Sequence, residues 1–422
     1  MVVLALLVRL AVVALTPGYV PIHDDADYDR HACWVVDHGF LPARVPPYVG
    51  ARNCQPVRDR GNAPTAYRPP LWPALLGATY VLPRPAGMSR WTAGRIVQAL
   101  IGTALAALVG LIALELCGPA VALAALAITA VYVPLVLIGA SLVSEPLFVA
   151  LVLGAVLAVL RARGATQPLR WALAAGVLVG LASLARANGP IVALPLMAGL
   201  WLAPRRSRRS LLAPAALAVA AVLVVAPWTI RNAIVLHAFV PVSTSGGNTL
   251  YGTYNETSRT RPDCRGCWTP PIDVAGGGPF LASLRGLPAA ERDHRLRAAA
   301  FRFAREHPVY VLQVLWGNTV RLLDLAGAAR TGFTAKTIDV SPRAAQDARW
   351  ELFAVLVLAA AGLLLGVLRR VPWFVVALVV LLWVSTALIQ SETPRFRAPL
   401  DPWLIMLGAA GAVALARRVR RR

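Results

Sequence analysis

Residues 143–163 read VSEPLFVALVLGAVLAVLRAR: one acid, Glu145, stands near the start, Arg161 and Arg163 stand at the end, and only apolar residues lie between. At 1.5 Å per residue, a helix over such a run reaches across a hydrocarbon layer about 30 Å thick. Short loops rich in arginine stay on the cytoplasmic side, whereas acids contribute little to orientation. The Arg161 end is therefore expected inside and the Glu145 end outside.

Working outward, the same reading gives about ten candidate spans at roughly 1–20, 96–116, 119–138, 143–160, 171–185, 189–203, 211–228, 351–368, 373–389 and 399–416, against the ~20 residues that a crossing needs. The two within 171–203 are short. With a cytoplasmic N-terminus, four arginine groups fall on one face: Arg161, Arg163 and Arg170; Arg205, Arg206, Arg208 and Arg209; Arg369 and Arg370; and Arg417, Arg418, Arg420, Arg421 and Arg422. Asp24, Asp25 and Glu145 fall on the other. The first span lacks a basic leader and a small-residue cleavage site, so it reads as a retained helix, with Arg9 snorkelling to an interface.

Composition agrees. The 422 residues are 58% hydrophobic and only 15% charged, which leaves too little polar surface for a soluble domain of this size. The net charge of +22 does not call for nucleic acid. Much of it sits in short loops beside apolar spans, where it sets topology and meets anionic lipid head groups.

Two segments, about 21–95 and 229–349, are too polar to cross and too long to be turns, and the threading puts both outside. Leu71–Leu82 and His307–Leu325 suit helices lying along the membrane surface, and a further helix is expected near Pro288–Glu306. The fold class is an all-α polytopic membrane protein. Its expected parts are a membrane module at 1–228 that includes the first loop, an external region at 229–349, and terminal spans with a basic tail at 350–422. Cys33 and Cys54 share the first loop and Cys264 and Cys267 the second. Two disulfides, Cys33–Cys54 and Cys264–Cys267, are the favoured reading, with a zinc site from the four thiols as the alternative.

The chemistry gathers at the outer ends of the spans. His23-Asp24-Asp25-Ala26-Asp27-Tyr28 crowds three carboxylates into four positions, and like charges a few ångströms apart raise at least one pKa. Such a group can act as a general base toward a hydroxyl, although a solvated acidic turn would look the same. In Tyr67-Arg68-Pro69-Pro70-Leu71-Trp72 the prolines fix the backbone, and Arg68 reads as a bidentate phosphate ligand or as an interfacial anchor. Glu145 is either a helix-start acid or the holder of an arginine or a substrate hydroxyl. Arg186, Arg231, Glu392, Arg395 and Arg397 stand at other outer ends.

These motifs together resemble the GT-C superfamily of membrane glycosyltransferases, in particular the family joining protein O-mannosyltransferases and lipid A aminoarabinose transferases. Asp24-Asp25-Ala26-Asp27-Tyr28 is similar to the family's Asp-Glu-x-x-Tyr, with Asp25 in place of Glu. Arg68-Pro69-Pro70-Leu71-Trp72 is similar to its Lys/Arg-Pro-Pro-Leu-Tyr, and Ser144-Glu145-Pro146 to an acidic motif at the fourth span. Pro227 to Asn232 with Ser245 to Tyr251, and Arg395-Phe396-Arg397-Ala398-Pro399, complete the pattern.

The resemblance implies inverting transfer of a sugar from a polyprenyl-phosphate donor to a glycan, lipid or protein acceptor on the outer face. The arginine-rich composition and paired external cysteines fit a bacterial plasma membrane, and the threading puts both termini in the cytoplasm. The resemblance also implies Asp24 and Asp25 as catalytic carboxylates, with Asp24 the base, and Arg68, Arg186 and Arg395 as donor-phosphate ligands. Tyr28, Tyr67, Glu145, Arg231 and Arg397 would position substrate. No metal is required, although Asp24, Asp25 and Asp27 offer a place for a divalent cation. From a different class, a transporter or lipid flippase would place its charges within broken spans and carry a repeat. A noncatalytic scaffold would need no such acid and arginine arrangement.

Overall fold

The computed structural model describes residues 1–38, 48–49, 54–56, 65–202, 211–327, 341–389 and 394–420. The expected arginine run Arg205 to Arg209, Glu392, and Arg421 with Arg422 lie outside the described residues. Among the described residues the regular structure is helical apart from a two-residue antiparallel ladder, Tyr48–Val49 against Gln55–Pro56.

Five described helices are long and apolar enough to cross a membrane: Arg90–Cys117, Glu145–Gly164, Pro168–Ala185, Leu212–Leu236 and Asp401–Val419. Shorter apolar helices include Val2–Leu15, Leu71–Val81, Pro119–Val131 and Trp373–Ala387. Several expected spans are thus not single long helices. The stretch 119–138 divides into Pro119–Val131 and Val133–Ile138, because Pro134 lacks the N–H that would continue the ladder. The stretch 189–203 is a 3-10 turn, Gly189–Val192, followed by Ala193–Trp201. The helix expected from 351 begins earlier, at Pro342, with Ser341 Oγ accepting the Ala344 N–H as its cap.

The break at Pro134 explains a departure from expectation. Arg9 does not snorkel to an interface; it is fully buried. Thr129 O and Ala130 O would ordinarily accept from residues 133 and 134, but Val133 N–H donates to Glu351 Oε2 at 2.6 Å and Pro134 has no N–H. Arg9 fills both vacancies, with Nη2 donating to Thr129 O and Nη1 to Ala130 O, each at 3.3 Å. Unsatisfied carbonyls in hydrocarbon cost several kcal/mol each, so the arginine mends a broken span. Gly102 makes the room, since a Cβ there would lie 2.7 Å from Arg9 Nε.

The main core joins the helices between Leu105 and Leu217 to Trp373–Ala387 and Asp401–Val419 through residues such as Phe148, Val152, Val179, Leu196, Phe374 and Ile405. A second cluster seats the helix His23–His38 on Leu71–Val81 through Tyr28, Ala32, Trp72, Leu76 and Tyr80. Asp29 fixes the same helix to the bundle: it accepts from Arg90 Nε at 2.9 Å and Nη2 at 2.7 Å, and from Tyr80 Oη at 2.9 Å.

In the region after 237, Gly246–Thr253 packs on Ala289–Glu306. Gly247 N–H donates to Asp293 Oδ1 at 2.6 Å, and a Cβ at Gly247 would lie 2.3 Å from Asp293 O, so only glycine permits this approach. Helices Ala289–Glu306 and Pro308–Leu322 occupy the expected places. Tyr254 Oη and Asn318 Nδ2 tie the region to the end of Trp373–Ala387 by donating to Leu388 O and Ala387 O, both at 2.7 Å. Cys33 is bonded to Cys54, and Cys264 to Cys267. Asn255, in a glycosylation sequon, is buried and caps the short helix Glu256–Thr260 by accepting from Ser258 N–H at 2.8 Å.

Candidate active site

The helical turn sorts the aspartates that the sequence crowds together. Positions three and four apart share a face of a helix, so Asp24, Asp27 and Tyr28 look one way while Asp25 and Asp29 look another. Asp24 and Asp27 meet Arg68, which donates from Nη2 to Asp24 Oδ1 at 2.7 Å and from Nε to Asp27 Oδ2 at 2.6 Å. The Tyr28 and Tyr67 rings lie 4.9 and 5.5 Å from the same guanidinium carbon, close enough for cation–π attraction. Arg395 Nη2 donates to the other Asp24 oxygen.

Arg68 is aimed by the loop that carries it. Tyr67 N–H donates to Thr65 Oγ1 at 2.9 Å, Thr244 N–H to Ala66 O at 2.8 Å, and Arg231 Nη1 to Thr65 O at 2.9 Å. Two distant segments therefore hold the approach to the Pro69-Pro70 pair, after which helix Leu71–Val81 begins.

The second half of the site is the loop 139–144 behind the helix break. Arg95 Nε donates to Ala140 O at 2.5 Å, Trp72 Nε1 to Leu142 O at 2.7 Å, and Gln98 Nε2 to Val143 O at 2.5 Å. These bonds fix Ser144 and Glu145. Tyr28 Oη and Ser144 Oγ are 2.9 Å apart, and Arg186 Nη1 lies 2.8 Å from Glu145 Oε1. Arg395 Nε lies 3.8 Å from that same oxygen. Phe396 packs between the two cations, 4.8 Å from the guanidinium carbon of Arg395 and 6.0 Å from that of Arg186. Glu145 is 1% exposed, and its Oε2 has no hydrogen-bond partner.

One ionic network thus joins Asp24, Asp27, Arg68, Arg395, Glu145 and Arg186, with Tyr28 and Tyr67 against it. Asp25 stands apart: it accepts from Tyr19 Oη and, at 3.2 Å, from Leu142 N–H. Arg231 braces the Arg68 loop and lies over Trp228 at 4.8 Å. Arg397 is buried away from the network. Its Nε donates to Asp401 Oδ1 and its Nη1 to Leu322 O, both at 2.6 Å, so it joins the last helix to Pro308–Leu322. Tyr19 and Arg95 went unread in the sequence. Arg95 lies 4.4 Å from the Tyr19 ring centre and so orients the donor to Asp25; no spacing signal links residues so far apart in the chain.

Burial is the strongest influence on these carboxylates and pushes each upward. For Asp24 the guanidiniums of Arg395 and Arg68 outweigh it and hold the group well below the usual carboxylate range. Arg68, aided by His31, also outweighs burial at Asp27 and lowers that group. Asp25 has only hydrogen bonds and a more distant Arg395 to set against burial, and is pushed up to about 6. The expected rise in one aspartate therefore has desolvation as its main cause, with the neighbouring Asp24 charge a minor one.

The aspartates do not fit a shared cation. Asp24 and Asp27 face guanidiniums, Asp25 faces Tyr19 and Leu142, and among the described residues no three His, Cys, Asp or Glu side chains are grouped to hold a metal.

A sequence model of the family described as dolichyl-phosphate-mannose-protein mannosyltransferase matches residues 68–230. That interval starts at Arg68 and includes Glu145 and Arg186. No curated protein matches the sequence. Among solved structures, the Archaeoglobus fulgidus oligosaccharyltransferase AglB in complex with an inhibitory peptide and a dolichol-phosphate is 13% identical, with a TM-score of 0.56 over 100% of this chain and 51% of that one. The same enzyme with zinc and sulfate is 14% identical, with a TM-score of 0.54 over 99% and 49%. The chain spans about half the length of that oligosaccharyltransferase. ArnT from Cupriavidus metallidurans, 14% identical over 93% of this chain and 73% of that one, reaches a TM-score of 0.39, too low to bear on the fold. The comparisons agree with the resemblance drawn from the motifs: the fold is like that of the oligosaccharyltransferase, and the mannosyltransferase family's sequence model matches residues 68–230.

Proposed function

We propose that the protein is an inverting glycosyltransferase that moves a sugar from a polyprenyl-phosphate donor to a hydroxyl-bearing acceptor at the outer face of a bacterial plasma membrane. The observation that carries this reading is the convergence of Arg68 Nη2 and Arg395 Nη2 on Asp24, a carboxylate still one-third exposed. A base beside two guanidiniums is what displacement at an anomeric carbon needs when the leaving group is a phosphate. The dolichol-phosphate held by the oligosaccharyltransferase of like fold supports the donor class.

The acceptor oxygen attacks the anomeric carbon as Asp24 takes its proton. The bond from that carbon to the phosphate oxygen breaks on the opposite face, and its electron pair leaves with polyprenyl phosphate, which gains one negative charge. Arg68 and Arg395 are placed to stabilise that growing charge, which is where preorganised donors contribute most. Glu145, with an oxygen lacking a partner, offers an acceptor for a sugar hydroxyl, while Arg186 pairs with its other oxygen at 2.8 Å. The shorter apolar helices complete about ten spans on this reading, with both termini inside, and the helices between Gly246 and Leu322 lie outside.

The test is release of free polyprenyl phosphate from a panel of polyprenyl-phosphate sugars by the purified protein, with an envelope extract as acceptor and Asp24→Asn beside it. Release with one sugar, absent from the variant, is expected. A folded wild-type protein that releases nothing from any sugar would overturn the reading.

A further inference from the structure

Arg68 and Arg395 are arranged alike. Each reaches Asp24 with Nη2, Arg68 on Oδ1 and Arg395 on Oδ2. Each also turns Nε to a different carboxylate: Arg68 to Asp27 at 2.6 Å, and Arg395 toward Glu145 at 3.8 Å. Those two carboxylates have further partners. Asp27 lies 3.5 Å from both Arg30 and His31, and Glu145 lies 2.8 Å from Arg186. The Nε ends are therefore anchored separately, and the Nη2 ends point at one place.

That place is occupied by Asp24. A phosphate that used the same two donors would bring two non-bridging oxygens to them, and it would have to take them from the carboxylate. Neither partly buried guanidinium is left without an anion, the condition that makes breaking such pairs costly.

We propose that the donor phosphate replaces the Asp24 carboxylate between Arg68 and Arg395, so that Asp24 is released to act as base only once donor is bound. Asp27 and Glu145 are then positioning residues that keep the guanidiniums in place through the exchange. This rests on the glycosyltransferase reading above. Its consequence is protection of the donor. While two cations hold Asp24 it is a poor proton acceptor, and it gains basicity only when the reacting phosphate has drawn those cations away.

The experiment measures binding of polyprenyl phosphate to the full-length protein in detergent for wild type, Asp24→Asn, Asp27→Asn and Glu145→Gln, with melting temperatures alongside. Removing the competing anion should tighten binding by about tenfold in Asp24→Asn while transfer is lost. Asp27→Asn and Glu145→Gln, while still folded, should bind about tenfold more weakly, and should raise donor KM more than they lower kcat. A purely structural role would move the melting temperature and leave the affinity alone. Asp24→Ala should tighten binding as well, so misfolding of one variant does not decide the matter. Unchanged or weaker binding in folded Asp24 variants overturns the exchange and leaves the donor assignment standing. Absence of binding by folded wild-type protein overturns both.

Discussion

Asp24 accepts a hydrogen bond from Arg395, 371 residues further along the chain. The first helix beyond the N-terminal apolar segment and the last turn before the final span thus meet at one carboxylate. Arg395→Ala should lower turnover by about 10²–10³, the loss that follows removal of one donor to a developing oxyanion. Arg395→Lys should recover little of it, because an ammonium cannot span Asp24 and Glu145 as a planar fork does. Steady-state rates of polyprenyl phosphate release check both.

Asp29 serves the fold. Its pair with Arg90 is almost wholly buried, with side chains 4% and 1% exposed. Asp29→Ala should cost about 3–5 kcal/mol, because it strands a buried guanidinium. Thermal or denaturant unfolding in detergent should register that loss, which should exceed the loss in Asp24→Asn, whose carboxylate is one-third exposed.

Asp25 makes stability depend on pH with a defined sign. Its folded pKa of about 6 lies above the ordinary 3.8, so the folded protein holds a proton that the unfolded chain has released. The contribution is full below about pH 4 and is lost as pH rises to about 6. Asp24 and Asp27 are shifted the other way, and their contribution is lost only at lower pH. Unfolding measured between pH 4 and 7 should show stability falling with pH in wild type, and a flatter profile in Asp25→Asn.

Arg9→Leu should leave Thr129 O and Ala130 O without their donor, and Gly102→Leu should drive the arginine out of its place. Each change should destabilise by several kcal/mol, the cost of unsatisfied carbonyls away from water. Neither touches the acid and arginine network, so protein that remains folded should keep donor affinity. Melting temperature and polyprenyl phosphate binding together check this.

Some of the site was legible in the sequence because it lies in short motifs beside apolar runs. The acids at 24–27, Arg68 before two prolines, Glu145 at a span start and Arg395 before the last span each carry a local signal. Others gave misleading signals. Arg9 read as a snorkelling residue because no acid nearby in sequence pairs with it; besides Ala5 O one turn back, its partners are carbonyls about 120 residues away. Arg397 shares a motif with Arg395, but their side chains diverge, one into the network and the other onto Asp401.

Hydrophobic length and arginine placement, properties of contiguous residues, determined by themselves that this chain is helical and built for a membrane, and which loops carry acids and which carry arginines. Pairing was decided only by the tertiary structure. A helical turn of 3.6 residues split one acidic run into a face for Arg68, a face for Tyr19 and a buried tie to Arg90, and the packing of distant helices chose each partner. An aspartate becomes a base, a buried proton carrier or a structural anion according to which cation and how much water reach it, and both are set by segments hundreds of residues away.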